Sequence, residues 1–304
     1  MDDSARPRVL VIRGGAIGDF ILTLPAIRLL RQNLPRVQIE VMGYPGIASL
    51  AVKAGVADSV RTLGDRRLAL LYARGAQIDP ALAEDLRSYN MIVSYLYDPD
   101  GIVRENLEKI GVKTLIECPH NVIPGQGHAA KQLARSLEKL AMFLEEPDWR
   151  QPLLGGGAQI VPKRIALHLG SGSLTKNWPV EGWRRIAQEI TEKHPDAEIV
   201  LVMGEAEMER GTVPVDLPWE RWSGLPLTEL AERLGTCSLF LGHDSGISHL
   251  ASTCGVPCLL LFGPTDPVTW APPQTGLRVL RAPEGEWRKL PYEAVRDTVM
   301  GMVR

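Results

Sequence analysis

The sequence lacks the features of several large classes of protein. Its 304 residues include 34 basic and 36 acidic side chains, and the formal net charge of -2 excludes a generally basic nucleic-acid-binding protein. No apolar run approaches the ~20 residues that a membrane-spanning helix needs. The start, MDDSARPRVLVIR, is acidic and leads directly into a strand, which is not the pattern of a signal peptide. We therefore expect a cytoplasmic protein.

Cysteine is also scarce. The four cysteines are Cys118, Cys237, Cys254 and Cys258, and none of them forms a C-x-x-C pair. Three of them lie in apolar strand or helix surroundings, which does not fit a disulfide framework or a zinc site. The pattern predicts buried free thiols.

What the sequence does contain is an alternation of short apolar runs with longer amphipathic stretches. There is no hairpin signal of the Asn-Gly type, so the alternation predicts βαβ units and parallel sheets. One helical stretch is IGDFILTLPAIRLLRQN, and a longer one, HAAKQLARSLEKLAMFLEE, closes the first half. The predicted strands are RVLVIR, VQIEVMG, MIVSYLY and KTLIEC in the first half, and RIALHLG, AEIVLVMG, CSLFLG and VPCLLLFG in the second.

The chain length exceeds the usual ceiling for one hydrophobic core, so we expect two domains. The stretch Pro147–Arg164 is rich in proline and glycine and has no periodicity, which is typical of a linker. The simplest architecture is two facing Rossmann-like α/β domains. The predicted boundaries are 1–150, a linker at 151–163, a second domain at 164–288 and a closing amphipathic helix at 289–304.

Polar residues cluster where one buried strand gives way to a helix. In LGHDSGISHL the strand ends, His243 and Asp244 turn the chain, and a helix begins near Ser245. The first amides of a helix have no intrahelical acceptor and carry the positive end of the dipole, so this turn suits a phosphate. Gly246 lets a ligand approach the backbone. The alternative is that Asp244 or Ser245 only caps the helix and that His249 is a core histidine.

A second turn of similar composition follows another predicted strand. HLGSGSLTKNWP supplies Gly170 and Gly172 and ends with Lys176. One cation and two amide-rich turns at strand ends of the same domain would suit a diphosphate, whereas Lys176 alone would fit a solvated surface lysine equally well. The hydroxyl groups of this turn belong to Ser171, Ser173 and Thr175.

The first glycine-rich turn, RGGAIGD, does not complete a dinucleotide fingerprint. Gly15 and Gly18 have the spacing of the last two glycines of G-x-G-x-x-G, but Arg13 stands where the first should be. The acidic residue expected at the end of the next strand is absent, and no G-x-x-x-x-G-K-[ST] occurs. The turn, with Gly14, instead leads to Asp19. If two domains oppose each other, this carboxylate faces the cleft between them.

Two further clusters have competing interpretations. Asp98 and Asp100 in YLYDPDG could bind a metal, but Pro99 and Gly101 favour a simple turn after a strand. The arginines of VRTLGDRRLALLYARG could form a solvated helix face or meet an anionic acceptor at the inner membrane surface. These arginines are Arg61, Arg66, Arg67 and Arg74.

Three segments together resemble glycosyltransferase family nine, the bacterial heptosyltransferases of lipopolysaccharide core assembly. RGGAIGDFILTLPAI is similar to the family's G-D-x-x-x-T-L-P-A opening, and GSGSLTKNWPVEGW to its K-x-W-P-x-x-x-W segment. GHDSGISHLASTCGVPCLLLFGPTDP resembles its D-[TS]-G-x-x-H-[LI]-A signature and the P-…-G-x-T-[DN]-P that follows. The motifs occur in family order and span nearly the whole chain.

The resemblance implies a GT-B fold whose C-terminal helix crosses back onto the first domain. It also implies an inverting, metal-independent transfer from a nucleotide-diphosphate sugar, usually ADP-heptose, to a glycan acceptor, with no cofactor. Asp19 matches the proposed general base, and Lys176 matches a residue near the donor phosphates. Glu205 matches loosely an acidic residue that holds the donor ribose. Asp244, Ser245, Gly246, Ile247 and His249 match the donor-binding loop.

Other functions remain open at this point. A sugar-nucleotide epimerase could use the same fold and donor without a second substrate. A two-domain solute-binding protein would need export, which the missing signal peptide disfavours, and a nicotinamide oxidoreductase conflicts with the incomplete fingerprint. The segments expected to hold an acceptor, around Gly64–Gly75 and Tyr95–Val103, match no motif.

Overall fold

The computed structural model describes residues 6–210 and 217–303, and of Glu205, Ala206 and Glu209 it describes the backbone only. The chain forms two compact units. The first unit comprises the chain up to Ala16 together with Leu22–Ile123 and Ala129–Glu145. The second comprises Ile17–Ile21, Pro124–His128 and everything from Glu146 onward. The short segment that carries Asp19 therefore groups with the second unit.

The first unit is built on a five-stranded parallel sheet in the order β3-β2-β1-β4-β5. The chain runs from β1 toward one edge and then restarts at β4 toward the other, which creates a switch point between β1 and β4. The strands are β1 (Arg8–Ile12), β2 (Gln38–Gly43), β3 (Ser59–Thr62), β4 (Met91–Ser94) and β5 (Leu115–Glu117). The helices of this part of the chain are α1 (Ile17–Asn33), α2 (Pro45–Lys53), α3 (Pro80–Arg87), α4 (Ile102–Ile110) and α5 (Ala129–Ala134).

The second unit has a six-stranded parallel sheet in the order β11-β10-β9-β6-β7-β8, with its switch point between β6 and β9. The strands are β6 (Val161–His168), β7 (Glu198–Met203), β8 (Glu220–Ser223), β9 (Cys237–His243), β10 (Cys258–Phe262) and β11 (Leu277–Arg281). The helices are α6 (Val180–Lys193), α7 (Glu205–Arg210), α8 (Leu227–Leu234), α9 (Gly246–Thr253), α10 (Pro267–Trp270) and α11 (Tyr292–Met300).

The predicted parallel α/β architecture is confirmed, and α1 has the predicted bounds. The central strands were predictable because both of their faces are buried, which requires continuous apolar runs. The edge strands β3, β8 and β11 were not predicted. Each is half-exposed and carries charged residues, so none of them leaves an apolar run in the sequence.

The long helix predicted at the end of the first half is wrong. The α-helix ends at Ala134 and continues only as a 3-10 helix over Arg135–Leu140. Ala141 then adopts a left-handed conformation, with φ 57°, and ends the helical run before the stretch MFLEE. The expected linker is also shorter than predicted, because β6 already begins at Val161.

The C-terminal helix packs in a different place from the one the resemblance implied. Val295, Val299 and Val303 belong to the same buried core as Ile165 of β6 and Trp183 of α6, within the second unit. The physical reason is the apolar stripe of α11, which covers the aliphatic face of α6. The expected return to the first domain is therefore corrected for residues 292–303.

The part of the chain that the structure describes has neither a membrane-spanning helix nor a disulfide. Within 6–210 and 217–303 no helix is both long and apolar enough to cross a membrane. Cys118, Cys237, Cys254 and Cys258 are all buried, as predicted, and no disulfide joins any of them.

Candidate active site in the second unit

The two polar turns singled out in the sequence follow β6 and β9, the neighbouring strands at the switch point. In an open parallel sheet, ligands bind beyond the carboxyl ends of the strands at such a point. The structure brings the turns into contact through Lys176 and Asp244, whose Nζ and Oδ2 atoms lie 2.7 Å apart. The Asp244 side chain is 8% exposed and that of Lys176 is 31% exposed, so the ion pair lies at the boundary with solvent.

The structure also shows which residue caps α9. Ser245 is the N-cap of α9, and its Oγ accepts the backbone N–H of Ser248 at 3.2 Å. Asp244 does not cap the helix. It holds the ammonium group of Lys176 beside the first amides of α9, where two sources of positive charge meet. Such an arrangement suits an anion with more than one charged group.

A second helix start touches the first. A Cβ atom added to Gly246 would lie 2.8 Å from the Cβ of Ile17 and 3.1 Å from the backbone N of Gly18. Only glycine fits at position 246, because the start of α1 fills the space that a side chain would need. Asp19 lies in the first turn of α1 and is partly exposed. Two helix N-termini with the same sign of dipole therefore meet here, next to a carboxylate.

His249 lies at the centre of these charges. Burial lowers its pKa to about 4, and the charges of Asp244 and Asp19 oppose that shift only in part, while those of His128 and Lys176 add to it. The imidazole is therefore neutral at pH 7. Its ring packs against Gly18, since a Cβ added there would lie 3.2 Å from Cδ2. His249 is therefore a buried histidine, which is one interpretation of the sequence. It also contacts the start of α1, so it lies next to the candidate site.

His243 attaches the lysine-bearing turn to β9. Its Nε2 accepts the backbone N–H of Trp178 at 2.8 Å and the indole N–H of Trp183 at 3.0 Å. Because burial lowers the pKa of His243 to about 3, the ring is neutral, and the two N–H donors that face Nε2 require its one hydrogen to lie on Nδ1. Lys176 lies two residues before Trp178, so its backbone position is fixed by this histidine.

The remaining predicted donor residues have varied roles. The Ser171 hydroxyl is buried and bonds to the Ser173 carbonyl and Asn177 Oδ1, both at 2.6 Å, so it shapes its own turn. Ser173 and Thr175 pair their hydroxyls at 2.9 Å near the surface. Ile247 is buried in α9. The Glu205 side chain lies outside the described residues.

The glycines of the first turn do not all lie at this site. Gly14 and Gly15 belong to the first unit, where Gly14 packs against Leu63 and Tyr44. Gly15 has a φ of 99°, which only glycine adopts readily. Of the three, Gly18 alone groups with the second unit.

Sequence reasoning did not assign a role to three residues of this site. His168 ends β6, Glu207 lies in α7, and His243 ends β9. All three side chains are buried. The available signal was a histidine that ends each of two apolar strand runs, a position where a buried polar group needs partners from neighbouring loops.

The first unit presents cavities at the carboxyl edge of its own sheet. One cavity of about 420 Å³ is mostly apolar and is lined in part by Tyr44, Leu63 and Tyr72. Another of about 330 Å³ is lined in part by Tyr97 and His120, whose ring centroids lie 5.3 Å apart. The segments Gly64–Gly75 and Tyr95–Val103, which matched no motif, contribute to these walls.

Of the two clusters with competing interpretations, Asp98 and two of the arginines, Arg61 and Arg67, form bonds within the first unit. Asp98 accepts the backbone N–H groups of Val103 and Arg104 at 3.1 and 2.9 Å, which confirms the turn before α4. Arg61 pairs with Asp85. Arg67 pairs with Asp65 at 2.7 Å and with Asp79 at 3.3 Å. Arg66 and Arg74 are exposed. Across the described parts of the chain, no group of three or more His, Cys, Asp or Glu residues could hold a metal ion.

The sequence is similar to those of known glycosyltransferases. The sequence model of glycosyltransferase family 9 (heptosyltransferase) matches residues 156–297. Lipopolysaccharide heptosyltransferase 1 of Pseudomonas aeruginosa is 27% identical over 293 residues, which cover 86% of this chain and 79% of the relative. The protein of the same name from Escherichia coli K12 is 22% identical over 97% of this chain and 100% of its own.

Solved structures show the same fold at low identity. An E. coli heptosyltransferase with ADP superposes with a TM-score of 0.72 at 18% identity, covering 97% of this chain and 99% of the other. A glycosyl transferase of family 9 from Veillonella parvula gives a TM-score of 0.74 at 18% identity, over 98% and 97% of the two chains. The chain therefore has the fold of these proteins, the GT-B fold, with a parallel sheet in each of its two α/β units. In sequence, the chain is similar to glycosyltransferase family 9 over residues 156–297 and to lipopolysaccharide heptosyltransferases 1 over most of its length.

Proposed function

We propose that the protein is a glycosyltransferase of family 9 and that it moves heptose from ADP-heptose to a hydroxyl group of a lipopolysaccharide core or a related glycan. The observation that carries the proposal is the pairing of Lys176 with Asp244 beside the first amides of α9, at the switch point of the second sheet. The curated relatives are lipopolysaccharide heptosyltransferases, and similar structures contain ADP or an ADP-heptose analogue. These names supply the identity of the donor and the acceptor class.

The site residues support a role in departure of the leaving group. Charge develops on the diphosphate as its bond to the anomeric carbon breaks. Lys176 and the amides of Ser245–Ile247 stabilise that charge, and one preorganised donor of this kind contributes roughly 10²–10³-fold to turnover. They supply the positive charge that a divalent metal supplies in other transferases, so activity should persist in EDTA.

Asp19 is the proposed general base. As the acceptor oxygen attacks the anomeric carbon, its proton passes to the Asp19 carboxylate, and the bond from that carbon to the diphosphate oxygen breaks. A single displacement of this kind inverts the anomeric configuration. General-base assistance contributes about 10²–10⁴-fold. The position of Asp19 in the first turn of α1, beside His249 and Gly246, supports this role.

The cavities of the first unit are the proposed acceptor site. Their tyrosines, Tyr44, Tyr72 and Tyr97, are each about half exposed and can pack against the apolar face of a sugar ring. Contact with the inner membrane is proposed to involve the exposed Arg66 and Arg74, because Arg61 and Arg67 are occupied by carboxylates. Binding to anionic vesicles that survives reversal of both charges would contradict the role of these two arginines.

The substitution Asp19→Asn tests the mechanism. We expect turnover to fall by about 10²-fold or more, while ADP binding changes little, because the base acts on the acceptor. The matched control is Asp297→Asn, an exposed carboxylate of α11, which should leave both quantities unchanged. Retention of most of the activity by Asp19→Asn would disprove the base assignment.

A donor panel tests the substrate class. ADP-, GDP- and UDP-sugars are compared by thermal shift, since a ligand that binds only the folded state stabilises it. We expect the largest stabilisation with ADP or ADP-heptose. Incubation with ADP-heptose alone distinguishes the epimerase, because an isomer would form without an acceptor.

A further inference from the structure

Beneath the loop between β9 and α9 lies a chain of buried polar side chains. It joins Glu207 of α7, His168 at the end of β6, and Ser245 and Ser248 of the α9 start. His168 is 1% exposed, Glu207 4% and Ser245 9%. These hydrogen-bonded side chains therefore link the end of β6 to α7 and to the start of α9, and they are shielded from water.

The contacts run in one continuous series. Glu207 Oε2 lies 3.4 Å from His168 Nε2, and His168 Nδ1 lies 3.2 Å from Ser245 Oγ. Ser245 Oγ lies 3.0 Å from Ser248 Oγ. The Ser248 hydroxyl donates to the backbone carbonyl of His243. Glu207 Oε2 also accepts the backbone N–H of Gly204 at 2.8 Å.

Simple accounting of hydrogen atoms fixes the direction of these bonds. Burial acts to raise the pKa of Glu207, but the hydrogen bond and charge of His168 and the Gly204 N–H outweigh burial and lower it. Glu207 is therefore ionised, and Nε2 of His168 must carry a hydrogen. If Nδ1 is unprotonated, it accepts the Ser245 hydroxyl. If Nδ1 is protonated, it donates to Ser245, whose own hydrogen then goes to Ser248.

In both protonation states the Ser245 hydroxyl points into the protein. Its oxygen is also occupied as the N-cap acceptor for the Ser248 N–H. A serine nucleophile would need an accessible oxygen with a free lone pair, so the Ser–His–Glu arrangement here does not suit hydrolysis. The same reasoning removes Ser245 Oγ as a donor to a phosphate. What the loop can offer an anion is its backbone.

We propose that Glu207 and His168 are positioning residues that hold Ser245 in the rotamer which directs the first amides of α9 at the leaving diphosphate. This inference rests on the proposed function of that loop. The start of α1 leaves no space for the backbone of Gly246 to shift toward it. Loss of the Glu207–His168 support would misdirect the amides, and a displacement of about 1 Å can cost about 10²-fold in rate.

The test compares Glu207→Leu with Glu207→Gln. Leucine removes the acceptor for both His168 and Gly204, whereas a glutamine oxygen can accept both hydrogens. We expect Glu207→Leu to lower kcat about tenfold or more with the KM for the donor changed less than about threefold, because the amides act most strongly in the transition state. Glu207→Gln should recover most of that loss. Equal loss in both variants, or no loss in folded Glu207→Leu, would overturn the proposal.

Variants of Ser245 cover the case in which Glu207→Leu does not fold. Ser245→Ala removes the hydroxyl that contacts His168, and Ser245→Thr retains it. If Glu207 acts through Ser245, then Ser245→Ala should lower kcat about tenfold or more with the KM for the donor changed less than about threefold, and Ser245→Thr should recover most of that loss. A kcat for Ser245→Ala within twofold of the parent contradicts the inference. Absence of any transfer from ADP-heptose by the parent protein would instead contradict the proposed function.

Discussion

The carboxyl edges of the two sheets differ in the kind of surface they present. The second unit carries a set of charged and polar groups that are already bonded to one another, from Lys176 and Asp244 to His243 and the two tryptophans. The first unit carries one cavity that is mostly apolar and another whose walls combine aromatic rings with charged side chains, among them Asp98, Arg104 and Glu117. One edge is thus built on a bonded set of polar groups, and the other on two cavities of different lining.

The difference corresponds to what each edge is proposed to bind. A diphosphate presents the same charges whatever sugar it carries, so the same few residue types at fixed spacings can bind it. An acceptor glycan is recognised by the contour of its rings, and many sets of side chains can produce a suitable contour. This explains why the donor side has readable motifs and the acceptor side has none.

The most severe test of the comparison is Lys176→Met. It removes the side-chain cation while leaving Asp244 nearly buried and unpaired, so both the binding of ADP and turnover should fall, turnover by roughly 10²-fold. Steady-state kinetics and calorimetry with ADP measure the two effects. The control is Lys193→Met, an exposed lysine of α6. If Lys176→Met kept near-normal turnover, electrostatics would not define the second edge.

A smaller effect is expected when the first edge is altered. Tyr72→Ala and Tyr97→Ala each remove an aromatic wall from a cavity. The KM for the acceptor should rise about tenfold, as expected for loss of ~1.4 kcal/mol of contact, with ADP binding unchanged. Phenylalanine at either position keeps the ring and serves as the control. A change in ADP affinity in place of the acceptor KM would contradict the division of roles.

Most of the fold was predictable because its central strands are apolar on both faces. Runs such as CSLFLG and VPCLLLFG are short and end in glycine, which favours a buried strand over a buried helix, and the parallel order follows from the helices between them. The edge strands β3, β8 and β11 and the break after Ala134 were not predictable. These three strands are half-exposed and leave no apolar run in the sequence. Alanine seldom adopts the left-handed conformation that Ala141 has, so the sequence carries no signal for the end of the helical run there.

The site was only partly predictable for a similar reason. Lys176, Asp244 and Ser245 lie in short segments with recognisable spacing. His168 and Glu207 are 39 residues apart in the chain, and only the pairing of β6 with β7 brings them together. No local pattern in either segment indicates the other, and the assignment of Ser245 as the cap depended on knowing that Asp244 is bound to Lys176.

The smallest expected effect concerns the response of the second edge to acid. Burial lowers the pKa of His243 to about 3 and of His249 to about 4, against an ordinary value near 6.5. As pH falls below about 6.5, the unfolded chain binds protons at these positions and the folded chain does not, so stability declines toward pH 4. His249→Asn removes one of these groups and should flatten the fall of Tm between pH 6.5 and 4 by a few degrees, of the order that ~1 kcal/mol produces.

The control for this measurement is His194→Asn, at the partly exposed C-terminal end of α6, which should leave the slope of Tm against pH unchanged. An unchanged slope in His249→Asn would mean that the neutral imidazole is not a property of the folded site. The charges of Asp19 and Asp244 would then offset burial at His249. A flattened slope would show that the second edge contains a buried, neutral histidine. The measurement of Tm against pH requires neither donor nor acceptor.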